Sequence, residues 1–163
     1  MAIMTKLPAL ALAAVLAACA GMGGPPPAPG DSVDTVKSKL GDPSAIHMLA
    51  SGMQFEYSGP FSQYAHMARF DPEGRLVSFE QVRTGQRFAT LKPGVATKAD
   101  VLATVGQPSE TSRVHMHNYE VWSYRYRENG VWNSMMHVHF DQKGVVQLMQ
   151  SGPDPMFEDK RRF

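Results

Sequence analysis

From Ser32 onward the apolar positions of this chain change period once, and then the same change is repeated. Val33, Val36 and Leu40 recur at the three-to-four-residue spacing that puts side chains on one helix face. Ser32 stands before them as an N-cap, Asp34 lies near the positive helix end, and Gly41 and Pro43 stop the run. The spacing then shifts toward alternation. Gln54–Tyr57, Ala65–Phe70 and Leu76–Val82 read as strands, with Ser58-Gly59-Pro60 and Asp71-Pro72-Glu73-Gly74 as turns.

The second pass follows the same order. Thr97 is the N-cap, Asp100 sits in the first turn, and Val101, Leu102 and Val105 form the apolar stripe. Gly106 and Pro108 stop it. Tyr119–Tyr126, Met135–Phe140 and Val145–Gln150 are the matching strands, with Asp141-Gln142-Lys143-Gly144 as the matching turn. Val36 and Val101, Gly41 and Gly106, and Pro43 and Pro108 are each 65 residues apart, Phe55 and Trp122 are 67 apart, and Phe70 and Phe140 are 70 apart. Such a growing offset places insertions in loops between repeated elements. The expected fold is α+β: two tandem modules, residues 31–83 and 88–153, each a helix followed by a three-stranded antiparallel sheet. A module of about 60 residues buries only about 60% of its unfolded surface, so the two are expected to share an interface.

The ends of the chain obey neither period. Met1–Lys6 is a short start with one positive charge, and Leu7–Ala18 is an Ala/Leu-rich stretch of about 12 residues, too short for a membrane core of roughly 30 Å. This is the form of a secretory signal over residues 1–18. Leu16-Ala17-Ala18-Cys19 resembles the bacterial lipobox, which implies cleavage before Cys19 and acylation of it. Cys19 is the single Cys of the chain, so neither an internal disulfide nor a multi-thiolate zinc site can form. Acyl chains bury at about 0.8 kcal/mol per CH₂, and several chains hold a protein to a membrane durably where one does not. Removing residues 1–18 takes Lys6 from the 16 basic residues and leaves them balanced against 15 acidic ones, so attachment through a basic patch is not expected. Residue 20 is Ala rather than the Asp that retains enterobacterial lipoproteins at the inner membrane, which points to the outer membrane and its periplasmic side. Gly21–Gly30 is a Gly/Pro-rich tether, and residues 154–163 a polar tail.

Four motifs in the second copy, in order, resemble the SmpA/OmlA, or BamE-like, outer-membrane lipoproteins. They are Gly94-Val95-Ala96-Thr97-Lys98-Ala99-Asp100-Val101, Val105-Gly106-Gln107-Pro108, Trp122-Ser123-Tyr124 and Phe140-Asp141-Gln142-Lys143-Gly144-Val145. The similar helix-plus-sheet module also occurs in proteins of the β-lactamase-inhibitor-protein type. The first copy departs from the pattern: Phe55 stands at the Trp position and the Thr-Lys start is missing. The resemblance implies a non-enzymatic, lipid-anchored module that supports envelope or outer-membrane-protein assembly by binding protein partners, the β-barrel assembly machinery among them. A periplasmic module capturing an enzyme, a small ligand or a metal on its sheet faces is the alternative.

Candidate chemistry is sparse. His115 and His117 precede the first strand of the second copy, and His137 and His139 lie on its second strand with both rings on one face. A three-residue Glu128-Asn129-Gly130 loop would pair Tyr119 with His139 and Val121 with His137. The four imidazoles are candidates for a Zn²⁺ or Cu²⁺ site, or for a partner-contact face. Asp71 and Asp141 read as turn caps rather than a catalytic pair, and Trp122, Tyr124, Tyr126 and Phe140 read as core. No nucleophile elbow, phosphate loop or His-Glu-x-x-His helix is present, and the balanced charge argues against nucleic acid. No catalytic residue and no cofactor is expected, and Cys19 is the one modification site.

Overall fold

The computed structural model describes residues 25–158; the signal segment, Cys19 and residues 159–163 lie outside the described part. In chain order the elements are α1 (Val33–Leu40), β1 (Ala45–Leu49), β2 (Gly52–Ser58), β3 (Ala65–Phe70), β4 (Leu76–Gln81), α2 (Gly85–Ala89), α3 (Lys98–Val105), β5 (Glu110–Val114), β6 (Tyr119–Glu128), β7 (Trp132–Phe140) and β8 (Val146–Pro153). They form two separate four-stranded antiparallel meanders, β1-β2-β3-β4 and β5-β6-β7-β8. Each sheet therefore has one more strand than the alternation showed. The extra strands are the edges β1 and β5. Every residue of Glu110–Val114 is exposed, and in β1 the exposed side chains are the apolar Ile46 and Met48, so the hydrophobic residues there do not mark the buried side. Neither strand carries the one-sided pattern that reveals a half-buried strand.

The two sheets are built on one plan. Ala45 pairs with Glu56 as Glu110 pairs with Ser123, and Phe55 pairs with Ala68 as Trp122 pairs with Val138. Each has a register shift in its third strand, at Arg69/Phe70 and at His139/Phe140. The offsets of 65, 67 and 70 read from the sequence are those of the strands. Asp71 and Asp141 cap the matching turns, their Oδ1 atoms accepting from the amides of Arg75 (2.7 Å) and Val145 (3.0 Å).

The caps explain why two eight-residue helices hold. Ser32 accepts from the Thr35 amide, and Thr97 accepts from the Asp100 amide while the Asp100 carboxylate accepts from the Thr97 amide, a reciprocal capping box. These bonds keep the Asp100 pKa below its ordinary value, the Thr97 amide being the main cause. Thr97→Ala is expected to lower unfolding stability by about 1 kcal/mol, measured by urea denaturation; no change would mean that the cap is redundant.

Packing joins the modules into layers. α1 places Val36 against Phe55, Ala68, Phe70 and Leu76 on one face of the first sheet. α3, with Phe88 of α2 and Leu91, places Val101 and Val105 against Trp122, Tyr124, Val138, Phe140 and Val146 on one face of the second. The aromatic set is thus core, and Phe55 faces its own helix. What meets the second module is the other face of the first sheet. There Gln54 Nε2 (3.3 Å) and Arg69 Nη2 (3.4 Å) donate to the Ala103 carbonyl in α3. The Gln107 amide donates to both carboxylate oxygens of Glu56 (3.1 and 3.0 Å). Arg83, from the linker between modules, donates to Ser62 O (2.8 Å) and Gln107 O (2.7 Å) and lies 3.7 Å from Glu56. Glu56 is fully buried and Arg83 almost so. Burial lowers the Arg83 pKa while the Glu56 charge opposes the shift. The layer order is α1, first sheet, α3 with α2, second sheet.

Candidate functional site

The polar face of the second sheet, turned away from α3, carries the histidines. Asn129-Gly130-Val131 is the hairpin loop, one position later than Glu128-Asn129-Gly130, so Glu128 pairs with Trp132, Val121 with His139 and Ser123 with His137. The shift of two in the sum of paired residues keeps every side chain on its expected face. The Asn129 backbone adopts φ of 51°, a left-handed conformation that Asn tolerates and that starts the turn there.

On this face His137 Nδ1 lies 2.8 Å from Ser123 Oγ. His117 stacks on Tyr119 with centroids 5.4 Å apart, and Tyr119 meets His139 edge-on at 6.4 Å. His115 and His117 belong to the β5–β6 turn, closed by the Asn118 amide on His115 O, and the four rings do not converge. Among the described residues no group of three or more His, Cys, Asp or Glu side chains is placed to hold a metal ion. Burial, helped by His137, lowers the His139 pKa below the ordinary histidine value. The unfolded chain therefore takes the proton more readily. This ring's contribution to stability is complete above the ordinary value and declines as pH falls below it toward the folded value.

A second surface was not legible in the sequence. Six of the large apolar side chains that stand well exposed come from three segments: Phe61 and Tyr64, Val131 and Trp132, Met156 and Phe157. Their backbones are tied together around Asn133. Gln63 donates to Asn133 Oδ1 (2.9 Å), Arg127 does the same (2.6 Å), and the Asp154 amide donates to Asn133 O (3.0 Å). The Asp154 carboxylate, fully buried, pairs with Arg125 at 3.3 Å and accepts from the Met156 amide, while the Phe61 ring lies 5.7 Å from the Arg125 guanidinium. The expected loose tail thus begins with a pinned turn over residues 154–157. In sequence its only signal was Val131-Trp132 directly after the Asn-Gly turn, where an apolar pair is out of place.

A cleft of about 300 Å³ between the modules is lined by Ser44, Ser58, Pro60, Arg83, Gln107 and Ser109. Both terminal nitrogens of Arg83 are occupied by main-chain carbonyls, so the cleft offers no free cation.

These features define a class: a two-module α+β protein with an exposed aromatic end. A family model described as the outer membrane protein assembly factor BamE domain matches residues 80–150, which puts the second module in the BamE/SmpA-like family. The match begins before α2 and so takes in Phe88, which the boundary expected at residue 88 just reaches. No curated protein matches the chain. Among solved structures the chain is similar to the crystal structure of a DUF4309 family protein (YjgB) from Bacillus subtilis. The identity is 12% over 76% of this chain and 78% of that one, and the TM-score is 0.33, too loose a likeness to speak for a shared fold.

Proposed function

We propose that the protein is an outer-membrane lipoprotein, anchored through acylated Cys19 with its modules on the periplasmic side, which binds protein partners in envelope or outer-membrane-protein assembly and catalyses no reaction. The aromatic end carries this reading. Trp, Tyr, Phe and Met are the residues that interfaces concentrate, and a soluble surface rarely groups five of them, with Val131 among them, without a partner. The BamE domain match supports the assembly role, and the lipobox-like Leu16–Cys19 stretch supports the anchor. Cys19 stands only six residues before Pro25, a spacing short enough for the anchor to keep the modules near the bilayer. Cys19→Ala is expected to release the protein from the membrane fraction with its folded part intact, read by fractionation and circular dichroism. Retention of the variant in the membrane fraction would contradict the anchor.

A further inference from the structure

The two described sheets have four edge strands, and three of them are guarded. β1 and β5 are five residues each, and a short edge offers little to pair with. β4 carries Glu80, whose carboxylate is bound by Arg87 of α2. β8 is different: eight residues long, with no charged side chain and no proline before its last position.

The hydrogen bonds show which main-chain groups of β8 are open. The Asp154 amide donates to Asn133 O, so Asp154 turns its main-chain groups toward β7. By the alternation of an antiparallel ladder so do Gly152, Gln150 and Leu148, opposite Met135, His137 and His139. Met149 and Ser151 therefore turn their N–H and C=O groups outward, and among the described residues no main-chain partner meets them there. The edge is closed only at its start, where Val146 donates to Ala96 O (2.8 Å) and accepts from the Gly94 amide (2.6 Å). From Gln147 to Pro153 it stays open over about 20 Å. This open edge is continuous with the aromatic end. β8 runs into the pinned turn that holds Met156 and Phe157, and Pro153 pairs with Ser134, close to Trp132.

We propose that β8 takes up an extended segment of a partner protein as a fifth strand of the second sheet, its main chain bonded to Met149 and Ser151 and its end reaching the aromatic side chains. This rests on the reading of the protein as a binder of protein partners, and it names the form the partner takes. Main-chain pairing is indifferent to sequence, so the neighbours on either side set the pattern. On one side the added strand lies beside Met149, half-buried against the second core. On the other it lies beside Leu148 and Gln150, both exposed. A segment that alternates apolar and polar residues suits both sides, and that alternation is what the strands of outer-membrane barrels are made of. A single strand fits the gap better than a second copy does, since each copy brings its own Gly94–Ala96 segment to the same edge.

The test uses the full-length chain in a mild non-ionic detergent and, as probe, a short peptide of alternating Thr and Val with a Lys at each end. Residue-resolved hydrogen exchange is read with and without it. The amides of Met149 and Ser151 are expected to exchange at least about tenfold more slowly with the peptide, while those of Phe79 and Gln81, their counterparts on β4, do not change. Ser151→Pro removes one outward amide without touching the β7 ladder and is expected to abolish the slowing. Ser151→Ala, which loses only the hydroxyl contact with Tyr126 (2.9 Å), keeps it. Circular dichroism checks that both variants fold. Unchanged exchange in the parent at the highest soluble peptide concentration overturns the proposal whatever the variants do. So does equal slowing on β4, and so do Met149 and Ser151 amides already protected in a dimer without peptide, which would mean that a second copy holds the edge. Purified protein decides strand pairing alone; the partner reading fails separately, by the absence of any partner crosslinked at Trp132 in cells.

Discussion

Glu56→Ala will cost about 3–5 kcal/mol of unfolding stability, because it removes one partner of a buried charge pair and leaves the other without water or counter-charge. Arg83 is nearly as buried as Glu56 and stands 3.7 Å from it. The Glu56 carboxylate also accepts the Gln107 amide and the Ser58 hydroxyl (2.8 Å), so the same substitution strips partners from two further groups. A charge pair replaced whole behaves differently, since no uncompensated ion stays behind. Glu56→Gln combined with Arg83→Met is therefore expected to be clearly more stable than Glu56→Ala alone. Guanidinium denaturation of the single variants and the pair decides this. Strict additivity would show that the two groups are independent and that the modules are held together by something else.

The repeat provides an internal control for the second prediction. Gly41 and Gly106 end α1 and α3 with nearly the same backbone, φ 83° and ψ −166° or −162°, a region costly for any residue with a Cβ. That conformational cost, about 1–3 kcal/mol, is common to Gly41→Ala and Gly106→Ala. The surroundings differ. Nothing lies within 4 Å of a Cβ at Gly41, whereas at Gly106 it would stand 2.6 Å from the Glu56 carboxylate. Gly106→Ala must push that carboxylate away from the Gln107 amide, leaving buried polar groups unmatched for about another 1–3 kcal/mol. The expected result is a Gly106→Ala variant that melts well below Gly41→Ala. Equal losses would mean that the junction yields without cost.

These two effects mark where the sequence was readable and where it was not. Helix limits, turn caps and the repeat offsets were legible because each rests on local chemistry: Ser32 and Thr97 as caps, Gly41 and Gly106 as stops, Asp71 and Asp141 in the turns. The inter-module face was not. Gln54, Glu56 and Arg69 alternate with Phe55, Ala68 and Phe70, and an alternating strand assigns its polar side to water. In the fold that side is buried against α3, each group satisfied by a main-chain partner that only tertiary structure brings near. β5 failed for the opposite reason, having no buried side to detect. The histidines kept their expected face although their pairing moved by two positions, since face depends on parity and register on the turn. The aromatic end was missed because its six side chains come from three distant segments, none of which is unusual alone.

Whether that end is the working surface is settled most directly by photo-crosslinking in intact cells, with p-benzoylphenylalanine placed at Trp132 and, as a control, at Val95. Both residues are well exposed. Val95 lies beside the Val146 end of the second sheet and Trp132 at the opposite end, where Ser134 pairs with Pro153. The expected result is a discrete adduct between position 132 and an outer-membrane assembly protein, with none from position 95. Adducts from 95 but not 132, or the same adducts from both, would contradict the account.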